Sequence, residues 1–187
     1  MTDRPETPAD ARAVLAFWYE ECGPERWFAK DPALDAQIRN RFGVLHAKAC
    51  AGGLDHWAGT AEGALALIVL IDQFSRNIHR DGPAAFAADP KALSLVAGAL
   101  EAGFDQDMTG PQRAFLYMPL MHSEDLADQD RCIRLMREAG LEKQHGYAVA
   151  HRKIIARFGR FPHRNAVLGR VSTPEEEAFL KEPDSSF

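Results

Sequence analysis

Cysteine is scarce in this chain, as are long apolar runs, and there is no surplus of positive charge. The three cysteines, Cys22, Cys50 and Cys132, are odd in number, widely spaced and without a CxxC pair. They read as reduced thiols and argue against a disulfide framework or a cysteine zinc site. The longest strongly apolar run, Ala64 to Ile71, falls far short of the roughly 20 residues an α-helix needs to cross a bilayer. It reads as a core segment, and no membrane contact is expected. The net charge of -5 argues against nucleic acid as a partner, because a surface that tracks phosphates normally carries a basic excess. The opening MTDRPETPAD has no apolar stretch behind a basic one, so no secretory signal is expected and the cytoplasm is the expected address. A GxSxG elbow, a Gly-rich phosphate loop, an HExxH pair and an EF-hand loop are all missing, which ranks the best-marked hydrolase, nucleotide and metal classes low, although His122, Glu124, Asp125, His151 and His163 are acceptable metal ligands and a metal-dependent hydrolase stays open as a third reading. No cofactor is implied, and no histidines show the four-residue spacing of a helical metal pair.

What is present is ordinary globular material: 187 residues, 46% hydrophobic and 26% charged. That length suits one domain over 1–187, with short flexible ends at about 1–6 and 182–187. Apolar residues recur at spacings of three and four, while alternating β-branched runs are missing, so the chain is expected to be all-α. Thr7, Asp31, Thr60, Asp89, Thr109, Ser123 and Thr173 are candidate N-caps, four of them followed by Pro8, Pro32, Pro90 or Pro174, where a missing N–H costs nothing. Gly23, Gly52, Gly103 and Gly140 each follow an amphipathic run and suit the left-handed turn that closes a helix. The pattern predicts about eight helices, near 8–22, 32–51, 61–79, 90–102, 111–122, 124–139, 142–158 and 174–181. LEAGFD and REAGLE lie 37 residues apart, the period of a helical-hairpin repeat, although two similar helix ends explain the coincidence more simply.

Three segments carry polar groups where a core should be. ALALIVLIDQFSRNIHRD is apolar on every side and then brings in Asp72, Gln73, Arg76, Asn77 and His79; Asp72 and Arg76, four apart, share a helix face and can pair. RAFLYMPLMHSEDLADQDR repeats the pattern with His122, Ser123, Glu124 and Asp125 beyond a Pro119 that removes one helical donor. The third segment sets His151 on an apolar stripe and then places Arg157, Arg160, His163, Arg164 and Arg170 within fourteen residues, beside Asn165. Arginine offers a planar fork suited to phosphate or carboxylate. The competing reading is a structural network in which these arginines pair with Asp72, Glu124 and Asp125.

Over these same segments the chain resembles a mainly bacterial family, domain of unknown function nine hundred and twenty-four. The shared words are VLAFWY, RWFAKDPALDAQIRNRF, LIVLIDQFSRNIHRD, FLYMPLMHSEDLADQ, HRKIIARFGRFPHRNAVLGR and STPEEEAFL, which together cover nearly the whole chain. The resemblance implies helices in stacked antiparallel pairs, a tetratricopeptide-like array, and brings no established activity. Ser75 stands where many relatives are expected to carry proline, which bears on the bend after Phe74.

Two functions follow as expectations. In the first, a buried pocket between helices binds or turns over a small anionic ligand. There Asp72, Arg76, Asn77, Arg160, His163, Arg164 and Asn165 hold it, and His122 or His151 acts as acid or base, oriented by Glu124 or Asp125. In the second, the stacked helices form a scaffold for a peptide or protein partner and the polar groups lock the packing. The sequence sets no oligomeric state.

Overall fold

The computed structural model describes residues 6–183, 185 and 186. Of the ends expected to be flexible, 1–5, 184 and 187 lie outside these residues, whereas Ser185 is buried and donates to the Leu180 carbonyl at 3.2 Å. Among the described residues the chain forms eight helical rods and no strand. They are α1 (Ala9–Ala16), extended by a π-helical turn Phe17–Cys22; α2 (Pro32–Cys50); α3 (Ala61–Ile68), continued through a second π turn Val69–Gln73 into α4 (Phe74–Ile78); α5 (Asp89–Glu101); α6 (Gly110–His122); α7 (Leu126–Glu138); α8 (Glu142–Phe158); and α9 (Pro174–Phe179). No helix is long and apolar enough to cross a membrane.

The boundaries have local causes. Asp31 accepts hydrogen bonds from the N–H groups of Ala33 and Leu34 at 2.9 and 3.1 Å with Pro32 as the first helical residue, satisfying donors that the helix leaves orphaned. Thr60 does the same for Gly63, and Thr173 and Glu176 close a capping box on α9. Two expected caps work differently. Thr7 bonds to Thr60 instead of capping α1, and Asp125, not Ser123, caps α7 by accepting from Ala127 and Asp128. Gly63 has a steric reason to be glycine, because a Cβ there would lie 2.1 Å from the Trp57 carbonyl oxygen.

The rod α3–α4 is the axis of the molecule. Every residue from Gly63 to Ser75 is buried, as a helix apolar on all sides must be. It packs on α1, α2, α5 and α6, while α5, α6, α7 and α8 each pack on the next. Phe17, Trp18, Phe42, Phe74 and Phe115 interlock around it, with ring centroids 5.0 Å apart for Phe17 and Phe42 and 5.4 Å for Trp18 and Phe115. Each large apolar side chain fully buried this way contributes about 1.5–3 kcal/mol. A second, smaller cluster of Ile154, Ile155, Phe161 and Phe179 joins the end of α8 to α9. The polar residues at the ends of α4 and α6 meet the C-terminal segment at the seam between these two cores.

Candidate functional site

The second π turn holds Asp72. A π turn accommodates one extra residue in the helix, which shifts the direction of the side chains that follow, and such turns often mark functional positions. Asp72 is fully buried, and its carboxylate is occupied on both oxygens. Oδ1 accepts from His122 Nδ1 at 2.7 Å and faces Arg76 at 3.0 Å, while Oδ2 accepts from the Gln73 amide at 2.6 Å. Burial pushes the Asp72 carboxyl up, but Arg76 and His122 outweigh it and hold it well below the usual carboxylate range. Because an ionised carboxylate only accepts, His122 must donate through Nδ1–H, which leaves Nε2 as its acceptor nitrogen. Burial, and then Arg76, lower the His122 pKa against the pull of Asp72, so the imidazole is neutral.

Arg76 reaches further, to both oxygens of Asp89 at 3.1 and 3.2 Å. Asp89 was expected to cap α5; it is the first residue of that helix, preceded by Ala88 with no side-chain cap, and its carboxylate turns into the seam. Its Oδ2 faces Arg164 at 3.6 Å, beyond a good hydrogen bond. The Arg164 guanidinium lies between the rings of Phe86 and Phe161, 4.7 and 4.5 Å from their centroids. Arg164 is only 7% exposed, and its buried Nε makes no hydrogen bond. Burial and the neighbouring Arg76 lower its pKa to about 10.

Two more histidines flank this arginine through Phe161, whose ring centroid lies 5.6 Å from His151 and 5.5 Å from His163. His151 Nδ1 donates to the Tyr147 carbonyl at 2.8 Å, one turn back on α8. Burial holds His151 down to about 3 and His163 to about 4, so both are neutral. Glu124 closes the rim: it receives Arg170 at 2.7 and 2.9 Å and the Phe161 N–H at 2.8 Å.

The structure thus brings Asp72, Arg76, His122, His151, His163 and Arg164 together, with Glu124 beside them. Four residues grouped with them by sequence have other partners. Asn77 bonds to Asp35, which also takes Arg80; Arg160 and Asn165 both bond to Glu176; Asp125 caps α7. The role of orienting His122, expected of Glu124 or Asp125, falls to Asp72. Sequence reading missed Asp89 and Phe86 as members of the cluster. The Asp89–Pro90 pair looks like a helix start, and nothing local to Phe86 marks it as an arginine platform.

Two open surface clefts lie away from this cluster. One, of about 310 Å³, is bordered by Asp105, Arg113, Tyr117 and Glu138. The other, of about 550 Å³, runs beside Tyr19, Trp27 and Pro111. Among the described residues no three His, Cys, Asp or Glu side chains are placed to share a metal ion.

The family model for the bacterial proteins of unknown function called DUF924 matches residues 14–184. A solved structure, that of the protein of unknown function ATU0120 from Agrobacterium tumefaciens, is 41% identical over 94% of this chain and 99% of that one, with a TM-score of 0.90. No curated protein matches the chain. With nearly its whole length matched in sequence and in fold, the chain belongs to the DUF924 family of bacterial proteins.

Proposed function

We propose that the protein binds a small anionic molecule, carrying a phosphate or carboxylate, at the seam between Arg164, Arg76 and His122. The observation that carries this reading is the state of Arg164. A guanidinium has five N–H donors in a fixed fork, and burying it without partners is costly. Here it is 7% exposed, and among the described residues its carboxylate contact is 3.6 Å away and its Nε has no hydrogen-bond partner. Stacking on Phe86 and Phe161 fixes the plane of the fork without using those donors. An oxyanion beside Asp89 supplies what the site lacks, and the partly exposed Arg76, Asp89 and His122, at 21, 17 and 14% of their side chains, give it a way in. The three free cysteines support a reducing, cytoplasmic setting.

The test is a thermal-shift and calorimetric titration with inorganic phosphate, sulfate and small carboxylates. A ligand that binds the native state alone raises the melting temperature, by an amount set by its concentration over Kd. The reading requires a dose-dependent rise that Arg164→Met abolishes in a folded protein. No shift with any of these at millimolar concentration would end it.

One feature favours a second reading, a tetratricopeptide-like scaffold. Phe28 is 67% exposed and stacks on Phe115 beside the cavity at Trp27. That scaffold would lose its partner on Phe28→Ser while anion binding stayed unchanged.

A further inference from the structure

Resting on the anion reading, a sharper statement concerns what enters the site with the ligand. The charges inside the cluster cancel before anything binds: Arg76 and Arg164 stand against Asp72 and Asp89. Adding a bare anion would leave a largely buried cluster with uncompensated negative charge, which low-dielectric surroundings penalise. A proton brought in with the anion offsets one unit of that charge without rearranging the ion pairs.

The geometry points to His122 Nε2 as the atom that takes up this proton, so that an oxyanion on Arg164 is bound together with one proton and held by a new Nε2–H donor. Three features place it there. Asp72 ties up Nδ1 at 2.7 Å, and Asp72 is itself held by Arg76 and Gln73, so the ring is oriented and the second proton can go only on Nε2. That nitrogen hydrogen-bonds to no described residue, on a side chain 14% exposed. An imidazolium paired with Asp72 is also stabilised by that carboxylate once an anion offsets Arg76, the cation that opposes its charging. The charged or titratable groups around His122 are Asp72 in the π turn, Arg76 on α4, Asp89 at the start of α5, His151 on α8 and His163 in the turn after it. Of the other two histidines, His151 has Nδ1 committed to the Tyr147 carbonyl, and both rings pack on Phe161. The ligand class is therefore an oxyanion with at least two acceptor oxygens, one for the Arg164 fork and one for His122.

Calorimetry on the full chain decides this with sulfate as the probe, since sulfate does not itself titrate near neutral pH and any proton taken up must come from buffer. Titrations at about pH 7, in two buffers of different ionisation enthalpy, should show uptake close to one proton per sulfate. Affinity should rise close to tenfold for each unit by which pH is lowered between the free and bound pKa values of His122. His122→Gln should still bind sulfate, with no uptake and a flat pH profile. Binding without proton uptake in the wild type, or uptake that persists in His122→Gln, overturns the inference and leaves the anion site standing. No sulfate binding under conditions where phosphate and carboxylates also fail overturns both.

Discussion

Arg160 and Arg164 lie four residues apart in the segment after α8, and they are treated in opposite ways. Arg160 gives Nε to Glu176 at 2.7 Å, a second nitrogen to the other Glu176 oxygen at 2.8 Å, and the same nitrogen to the Val171 carbonyl at 2.9 Å. Glu176 in turn accepts from Asn165 and from the Thr173 N–H. Among the described residues no buried polar atom of Arg160, Asn165 or Glu176 is left without a partner, and the result is a brace that fixes the C-terminal turn and α9. Arg164, more deeply buried, has aromatic faces on both sides and donors left over. A saturated arginine network explains itself as structure. An unsaturated buried guanidinium costs stability, and a ligand is the simplest means of offsetting that cost.

The largest effect that would sharpen this contrast comes from Asp72, the saturated anchor beneath the unsaturated site. Asp72→Asn removes the charge that Arg76 and His122 share in a fully buried position, and breaking a buried pair from one side costs about 3–5 kcal/mol. Urea unfolding should register that loss as a lower midpoint with an unchanged slope. A loss under about 1 kcal/mol would mean that Asp89 alone satisfies Arg76 and that the anchor is dispensable.

Acid should separate the two regions next. His151 is held to about 3 and His163 to about 4, against about 6.5 in an unfolded chain. The unfolded state therefore binds more protons below that value, so stability falls as pH drops from about 6.5, by up to about 1.4 kcal/mol per unit for each histidine fully uncoupled. Glu176, drawn down to about 2 by Arg160, loses its contribution only as pH falls below its unfolded value of about 4.3. Between about pH 7 and 5 the losses should thus come from the buried histidines, and His151→Gln should make the fall of the urea midpoint shallower over that range without abolishing it. A midpoint that holds steady from about pH 7 to 5 in the wild type would show that these histidines take up protons in the fold as readily as in the unfolded chain.

The helices were legible from the sequence because their causes are local: Asp31, Thr60 and Thr173 cap within three residues of themselves, and Gly23, Gly52, Gly103 and Gly140 all take positive φ at helix ends. The π turn Val69–Gln73 was not, since one extra residue in a turn leaves the apolar pattern of a fully buried rod unchanged. The pair Asp72–Arg76 followed from i,i+4 spacing. The partners of Asn77, Arg160 and Asn165 did not, because they are Asp35 and Glu176 from distant segments. A polar residue at the end of an apolar helix looks the same in sequence whether it braces the fold or faces a ligand. Asp89 shows the converse: the Asp–Pro signal is correct for a helix start, and the carboxylate was still free to serve Arg76 and Arg164.

The smallest expected change in stability is the most informative one. Methionine keeps the long apolar stem of arginine and removes the charge, so Arg160→Met and Arg164→Met delete the same group from two environments. Arg160→Met leaves a buried Glu176 carboxylate without its main partner, and the melting temperature should fall. Arg164→Met gives up stacking on two rings, worth up to about 2 kcal/mol, and is relieved of burying a charge with unused donors, a comparable gain. Its stability should stay within about 1 kcal/mol of wild type, while anion binding is lost. If instead Arg164→Met unfolds the protein and Arg160→Met does not, the long Asp89 contact is the brace and the saturated network is secondary.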